Sequence, residues 1–205
     1  MTVDAINKLS SDRFSVSIDG REIKTTANVL AQFRLFEGRE LEPDSVEEFN
    51  AESARALARE HALEILSRRS MSEKELRQKL LEKGYDAATA AYCIDWLSER
   101  RYLNDAEYAR MLVRHYSSKG YGAGRIRSEF IRRGIARDLW DAAFEEMPDG
   151  RDKLPALLRA KLKGDFSAEN IRKVSASLFR RGFSWDEIRS AINELETGSD
   201  GSDWC

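Results

Sequence analysis

The densest candidate for chemistry in this 205-residue chain is a run of cations. Arg110, Arg114, Lys119, Arg125, Arg127, Arg132, Arg133 and Arg137 stand against Glu129 as the only acid in that stretch, a local charge of +7. Arginine predominates, and its planar fork of donors suits phosphate or carboxylate better than the point charge of lysine. Tyr116 and Tyr121 lie among these residues, and an aromatic ring beside cations can stack on an unpaired base. Arg180-Arg181 precede a glycine just as Arg132-Arg133 do. The candidate contact set for an anionic partner is therefore Arg110, Arg114, Lys119, Tyr121, Arg125, Arg127, Arg132, Arg133, Arg137, Arg180 and Arg181.

Catalysis would need a nucleophile with its base, a metal cluster, a phosphate cradle or positioned carboxylates, and the residues do not assemble one. His61 and His115 are the only histidines, each on an expected helix in charged surroundings. Gly120-Tyr121-Gly122-Ala123-Gly124 has no preceding strand and no Gly-Lys-Ser/Thr ending, so it is a poor phosphate loop. It reads as a flexible turn before a helix from Ala123 to Arg133, or as a place where small residues let backbone amides approach a phosphate. Asp138, Asp141, Glu145 and Glu146 have helical spacing and read as a solvated face rather than a magnesium site. Neither an enzyme nor a metal or cofactor is expected.

The elements that must position these cations follow from a repeat. Three glycines close the same pattern: Leu76-x3-Leu80-Leu81-x2-Gly84-Tyr85, Ile126-x3-Phe130-Ile131-x2-Gly134-Ile135 and Val174-x3-Leu178-Phe179-x2-Gly182-Phe183. Past each glycine the register continues, with Ala90, Trp140 and Ile188 six positions on, Cys93, Ala143 and Ala191 nine on, and Ile94, Phe144 and Ile192 ten on. Those offsets fall on one helical face. Ser72 with Glu75 and Ser184 with Glu187 are capping boxes, and each glycine sits where a left-handed residue closes a helix. The expected fold is mainly α, with three tandem three-helix repeats forming an elongated curved body, over residues 57–103, 104–149 and 150–195. Pro148-Asp149-Gly150 separates the last two. Tyr85, Trp140, Phe144, Phe179 and Phe183 are expected in the shared core. The charge pairs before the glycines, Glu82-Lys83, Arg132-Arg133 and Arg180-Arg181, would align as a ridge in such a stack.

Residues 1–56 read differently. Phe14, Val16 and Ile18 alternate with serines, Asp19-Gly20 supplies a type I′ turn, and Arg21 to Thr25 return as the partner strand. Thr26 to Arg34 and Ser45 to Phe49 read as short helices, and residues 196–205 as a flexible tail. This front segment carries 7 Lys/Arg against 11 Asp/Glu, whereas residues 57–195 carry 27 against 22. Cys93 and Cys205 make neither a disulfide framework nor a zinc spacing. No apolar run approaches a membrane span, and the opening residues lack the apolar core of a signal peptide. A cytoplasmic monomer without membrane contact is the expectation.

The segments ALEILSRRSMSEKELRQKLLEKGYD, YLNDAEYARMLVRHYSSKGYGAGRIRSEFIRRGI and LFRRGFSWDEIRSAI resemble the three tandem repeats of the RecX family. The match spans about residues 57–195, and RFSVSIDG with VLAQFRLFEGREL resembles an N-terminal segment carried by some members. The resemblance implies a bacterial modulator of RecA in DNA repair, recombination and the SOS response. It would bind RecA and its filament on single-stranded DNA, most often limiting strand exchange, without catalysis. The less regular third repeat and the acidic front depart from a uniformly basic body. The competing reading is a stand-alone helical DNA-binding module that does not depend on RecA.

Overall fold

The structure, a computed structural model, describes residues 1–147 and 153–199. The chain divides into two compact units, Met1–Asn104 and Asp105–Cys205.

The first unit opens with three antiparallel strands, β1 (Val3–Lys8), β2 (Arg13–Ile18) and β3 (Arg21–Thr26), in the order β1-β2-β3. The hairpin of β2 and β3 is as expected. Asp19 and Gly20 both take positive φ, +47° and +78°, as a type I′ turn requires. Strand β1 was not expected, because a register shift between Val3 and Ala5 spaces its apolar Val3 and Ile6 three apart and erases the two-residue alternation. A short helix α1 (Ala27–Gln32) follows, capped by the Thr26 hydroxyl.

One 26-residue helix, α2 (Pro43–Arg68), replaces the expected short helix at Ser45–Phe49. Position 56/57, expected to separate the front segment from the first repeat, lies inside it. Proline in the first turn and Asp44 suit its start. Its front half buries Val46 and Phe49 against Val16, Ile18 and Ile23 of the sheet, and Ser53 donates to the Thr25 hydroxyl at 2.8 Å. Its rear half places Ala58 and Ala62 in a second core with Leu76, Leu80, Ile94 and Leu97. Those come from α3 (Glu73–Glu82), which starts on the Ser72/Glu75 capping box, and α4 (Ala87–Glu99), capped by Asp86.

The second unit holds the other two repeats. The first comprises α5 (Asp105–Ser118), α6 (Ala123–Arg133), a 3-10 turn (Arg137–Leu139) and α7 (Trp140–Phe144). Its core sets Phe130 at 5.6 Å from both Trp140 and Phe144. The second comprises α8 (Lys153–Leu162), α9 (Ala168–Arg180) and α10 (Trp185–Ser199). Helix α8 ends at Lys163 and Gly164, both at positive φ, and α9 starts on the Ser167 hydroxyl. Ser184 and Glu187 exchange the hydrogen bonds of a capping box, at 2.6 and 3.2 Å. Leu158, Leu162, Leu178 and Ile188 form the core, each contributing about 1.5 to 3 kcal/mol on burial.

Each anchor glycine closes its helix in the left-handed region, at φ +92°, +72° and +91° for Gly84, Gly134 and Gly182. The two hydrogen bonds of a Schellman motif accompany all three: Gly84 to Leu81 with Tyr85 to Leu80, Gly134 to Ile131 with Ile135 to Phe130, and Gly182 to Phe179 with Phe183 to Leu178. Phe179 corrects an expectation. It is exposed rather than core, as are its repeat equivalents Leu81 and Ile131, because that position faces away from the capping contact. Helix α10 also covers residues 196–199 of the expected tail. The rest of that tail, including Trp204 and Cys205, and the Pro148-Asp149-Gly150 break lie outside the described residues.

Candidate anion-binding interface

The sequence-predicted cations do not share one environment. Arg110 and Arg114, on α5, form a four-membered network with Glu107 and Glu146. Arg114 meets Glu107 at 2.9 Å and Glu146 at 2.5 Å, and Arg110 meets them at 3.4 and 3.5 Å. Two positive and two negative charges cancel there. The hydrogen bonds from Arg114 and Arg110 hold the Glu107 carboxyl below its ordinary pKa. This pair is already neutralised by acids of its own, a fact hidden in the sequence because both acids lie beyond the basic stretch.

Arg125, Arg132 and Arg133 converge on Glu129, whose side chain is only 5% exposed, at 3.2, 2.5 and 3.4 Å. Burial alone would raise the Glu129 pKa. The hydrogen bond and charge of Arg132, with hydrogen bonds from Tyr116 and Arg133, outweigh it and hold the carboxyl low. Three guanidinium groups share one carboxylate, so the cluster keeps an excess of two positive charges. Arg132 is 62% exposed, whereas Arg133 is 15% exposed and donates to the Tyr108 hydroxyl. Arg133 belongs to the core edge and Arg132 to the surface.

Lys119, Arg127, Arg137, Arg180 and Arg181 have no carboxylate partner among the described residues. Arg127 lies over the Phe144 ring and Arg137 over the Trp140 ring, at 5.1 and 5.5 Å from their centroids. Arg181 lies over Tyr121 at 5.5 Å. Tyr121 in turn packs edge-on against Tyr116, which commits it to the joint between the repeats rather than to an outside ring.

That joint accounts for Gly120-Tyr121-Gly122-Ala123-Gly124. The Gly122 N–H donates to the Arg181 carbonyl and the Gly124 N–H to the Gly182 carbonyl, both at 2.9 Å. A Cβ on Gly122 would lie 2.4 Å from the Gly182 oxygen. The glycines bring two backbones into contact, and those two amides are used within the protein rather than offered to a phosphate. Beside the joint a groove of about 550 Å³ runs between α6 and the α9–α10 turn, lined by Arg125, Arg127, Ser128, Phe179 and Arg180. The structure thus brings Arg125, Arg127 and Arg180 together and leaves Arg110 and Arg114 in a neutral network. Phe179 was missed as a surface residue. Its equivalence to Ile131 in the repeat was the available signal, but sequence alone does not say which of two adjacent apolar residues faces out.

Elsewhere the chemistry is structural. His61 Nδ1 lies 2.5 Å from the Tyr85 hydroxyl, and burial with the nearby Arg13 and Lys83 lowers its pKa. Burial pushes the Cys93 thiol up to about 11. Among the described residues no group of three or more His, Cys, Asp or Glu side chains is placed to hold a metal. No described helix is long and apolar enough to cross a membrane.

Fold and surface together define a mainly helical protein of tandem three-helix units with a small N-terminal sheet and a groove lined by Arg125, Arg127 and Arg180. Family models for the first and second three-helix domains of RecX match residues 58–97 and 104–143. Regulatory protein RecX of Vibrio campbellii is 32% identical over 139 residues, covering 66% of this chain and 90% of that protein. Regulatory protein RecX of Bacillus subtilis is 28% identical over 207 residues, covering 98% and 78%. A crystal structure of regulatory protein RecX superposes with a TM-score of 0.73 at 22% identity, covering 94% of this chain and 98% of that one, and shows the same fold. The chain belongs to the RecX family of regulatory proteins.

Proposed function

We propose that this protein is a non-catalytic modulator that binds RecA and its filament on single-stranded DNA and limits recombinase activity. The observation that carries this is the set of second-unit cations that have no carboxylate partner among the described residues, Lys119, Arg127, Arg137, Arg180 and Arg181. Such a surface meets an acidic protein face or a phosphate backbone without first breaking internal ion pairs. The charge is spread over two repeats rather than gathered at one helix start, which favours tracking a polymer over reading a base sequence. A cytoplasmic monomer fits this role, with no cofactor.

The test is RecA-driven ATP hydrolysis on single-stranded DNA at fixed salt, with this protein substoichiometric to RecA. Suppression at a ratio too low to coat the DNA is the expected result. No effect on RecA alongside tight binding to naked DNA would replace the reading with a stand-alone DNA-binding module.

A further inference from the structure

The last repeat departs from the other two at one pair of positions. Leu81, Ile131 and Phe179 are equivalent and all exposed, yet only Phe179 is aromatic. Three residues past its glycine stands Trp185, where the other repeats carry Ala87 and Arg137. The Phe179 and Trp185 rings stack at 5.0 Å between centroids and 18° between planes, and each residue remains 49% exposed. Helix capping does not account for the pair. The apolar contact of the Schellman motif falls to Leu178 and Phe183, which are buried.

Phe179 also lines the groove beside the repeat joint, with Arg127 and Arg180. Neither arginine has a carboxylate partner among the described residues. The acid that lines the groove, Glu187, is occupied by the Ser184 amide and hydroxyl at 2.6 and 2.8 Å. Flat rings open to water beside uncompensated guanidinium groups are the complement of a chain that alternates planar bases with phosphates. A protein anchor would require a deep apolar pocket, whereas the glycine backbone of the joint forms part of this wall.

We propose that this groove binds single-stranded nucleic acid directly, an unpaired base covering the Phe179–Trp185 stack while backbone phosphates meet Arg127 and Arg180. The proposal deepens the function argued above and rests on the same basic surface, but it makes a contact that does not require RecA. Stacking tolerates any base, so the site is indifferent to sequence. It selects against duplex, whose bases already stack on one another.

The experiment measures binding of the full chain to a fluorescent oligothymidylate, and to a duplex of equal length, across a range of salt. Combined Phe179→Ala and Trp185→Ala should weaken single-strand binding about tenfold or more, leave the salt slope unchanged and spare duplex binding. Trp185→Phe should restore most of the loss. Arg127→Ala and Arg180→Ala should each lower the salt slope by about 0.7. Absence of binding by the natural chain, aromatic variants that bind normally, or equal loss on duplex would overturn the proposal. The same variants are assayed on RecA-driven ATP hydrolysis. Intact oligothymidylate binding with lost suppression would make the groove a protein dock, overturning this inference while sparing the RecA reading. Aromatic-dependent binding by a chain without effect on RecA would do the reverse.

Discussion

The Gly124 N–H donates to the Gly182 carbonyl at 2.9 Å, a backbone-to-backbone contact between residues of different repeats. Closeness of this order leaves no room for a side chain. A Cβ on Gly182 would lie 2.2 Å from the Arg125 nitrogen, well inside van der Waals contact. The glycine that ends α9 therefore has two duties, closing a helix and admitting a neighbouring repeat.

Gly84 provides an internal control for those duties. It has nearly the same φ, +92° against +91°, but a Cβ there would meet nothing within 4 Å. Gly84→Ala should cost only the left-handed strain, about 1 kcal/mol. Gly182→Ala adds the collision and should cost about 3 kcal/mol or more. Urea denaturation followed by circular dichroism checks the difference, and equal losses would remove the joint from the account of Gly182.

Arg132 and Arg133 are neighbours in sequence with different surroundings. Arg133→Ala removes bonds to Glu129 and to the Tyr108 hydroxyl at a mostly buried site and should destabilise the protein by about 2 kcal/mol. Arg132→Ala exposes little, and Glu129 retains Arg125 and Arg133, so its cost should stay within about 1 kcal/mol. Melting temperatures of the two variants decide between this division and a uniformly exposed arginine pair, which would give equal shifts.

The repeat was legible because its glycines, capping residues and one apolar face are local and periodic. Ser72 with Glu75, and Ser184 with Glu187, mark helix starts in any context. Helix α2 was less legible. Its front half faces the sheet through Val46 and Phe49, and its rear half faces α3 and α4 through Ala58 and Ala62, so no single stripe runs its length. Strand β1 was hidden by its bulge. Among the site residues, the chain shows where arginines are but not which acids reach them. Glu146 neutralises Arg114 across 32 positions of sequence, and Glu129 lies inside the basic stretch yet gathers three of its cations.

Glu129 also sets an expectation for acid stability. Its pKa is held below the ordinary 4.5 in the folded protein, chiefly by Arg132 against the opposing effect of burial. A carboxylate so depressed contributes stability that is fully present above about 4.5 and is lost as pH falls through its folded value. Glu129→Gln removes this contribution. The variant should be less stable than the natural protein by on the order of 2 kcal/mol at neutral pH, and the gap should narrow as both are titrated into the acid range. Glu107 and Asp86 are also held low, by arginine hydrogen bonds and by the Thr89 amide respectively, so both proteins should retain a residual acid transition. Urea midpoints measured across pH give the comparison. A gap that stays constant below 4.5 would mean that the loss comes from some other difference between the two side chains and that the charge gathered from Arg125, Arg132 and Arg133 adds nothing to folding.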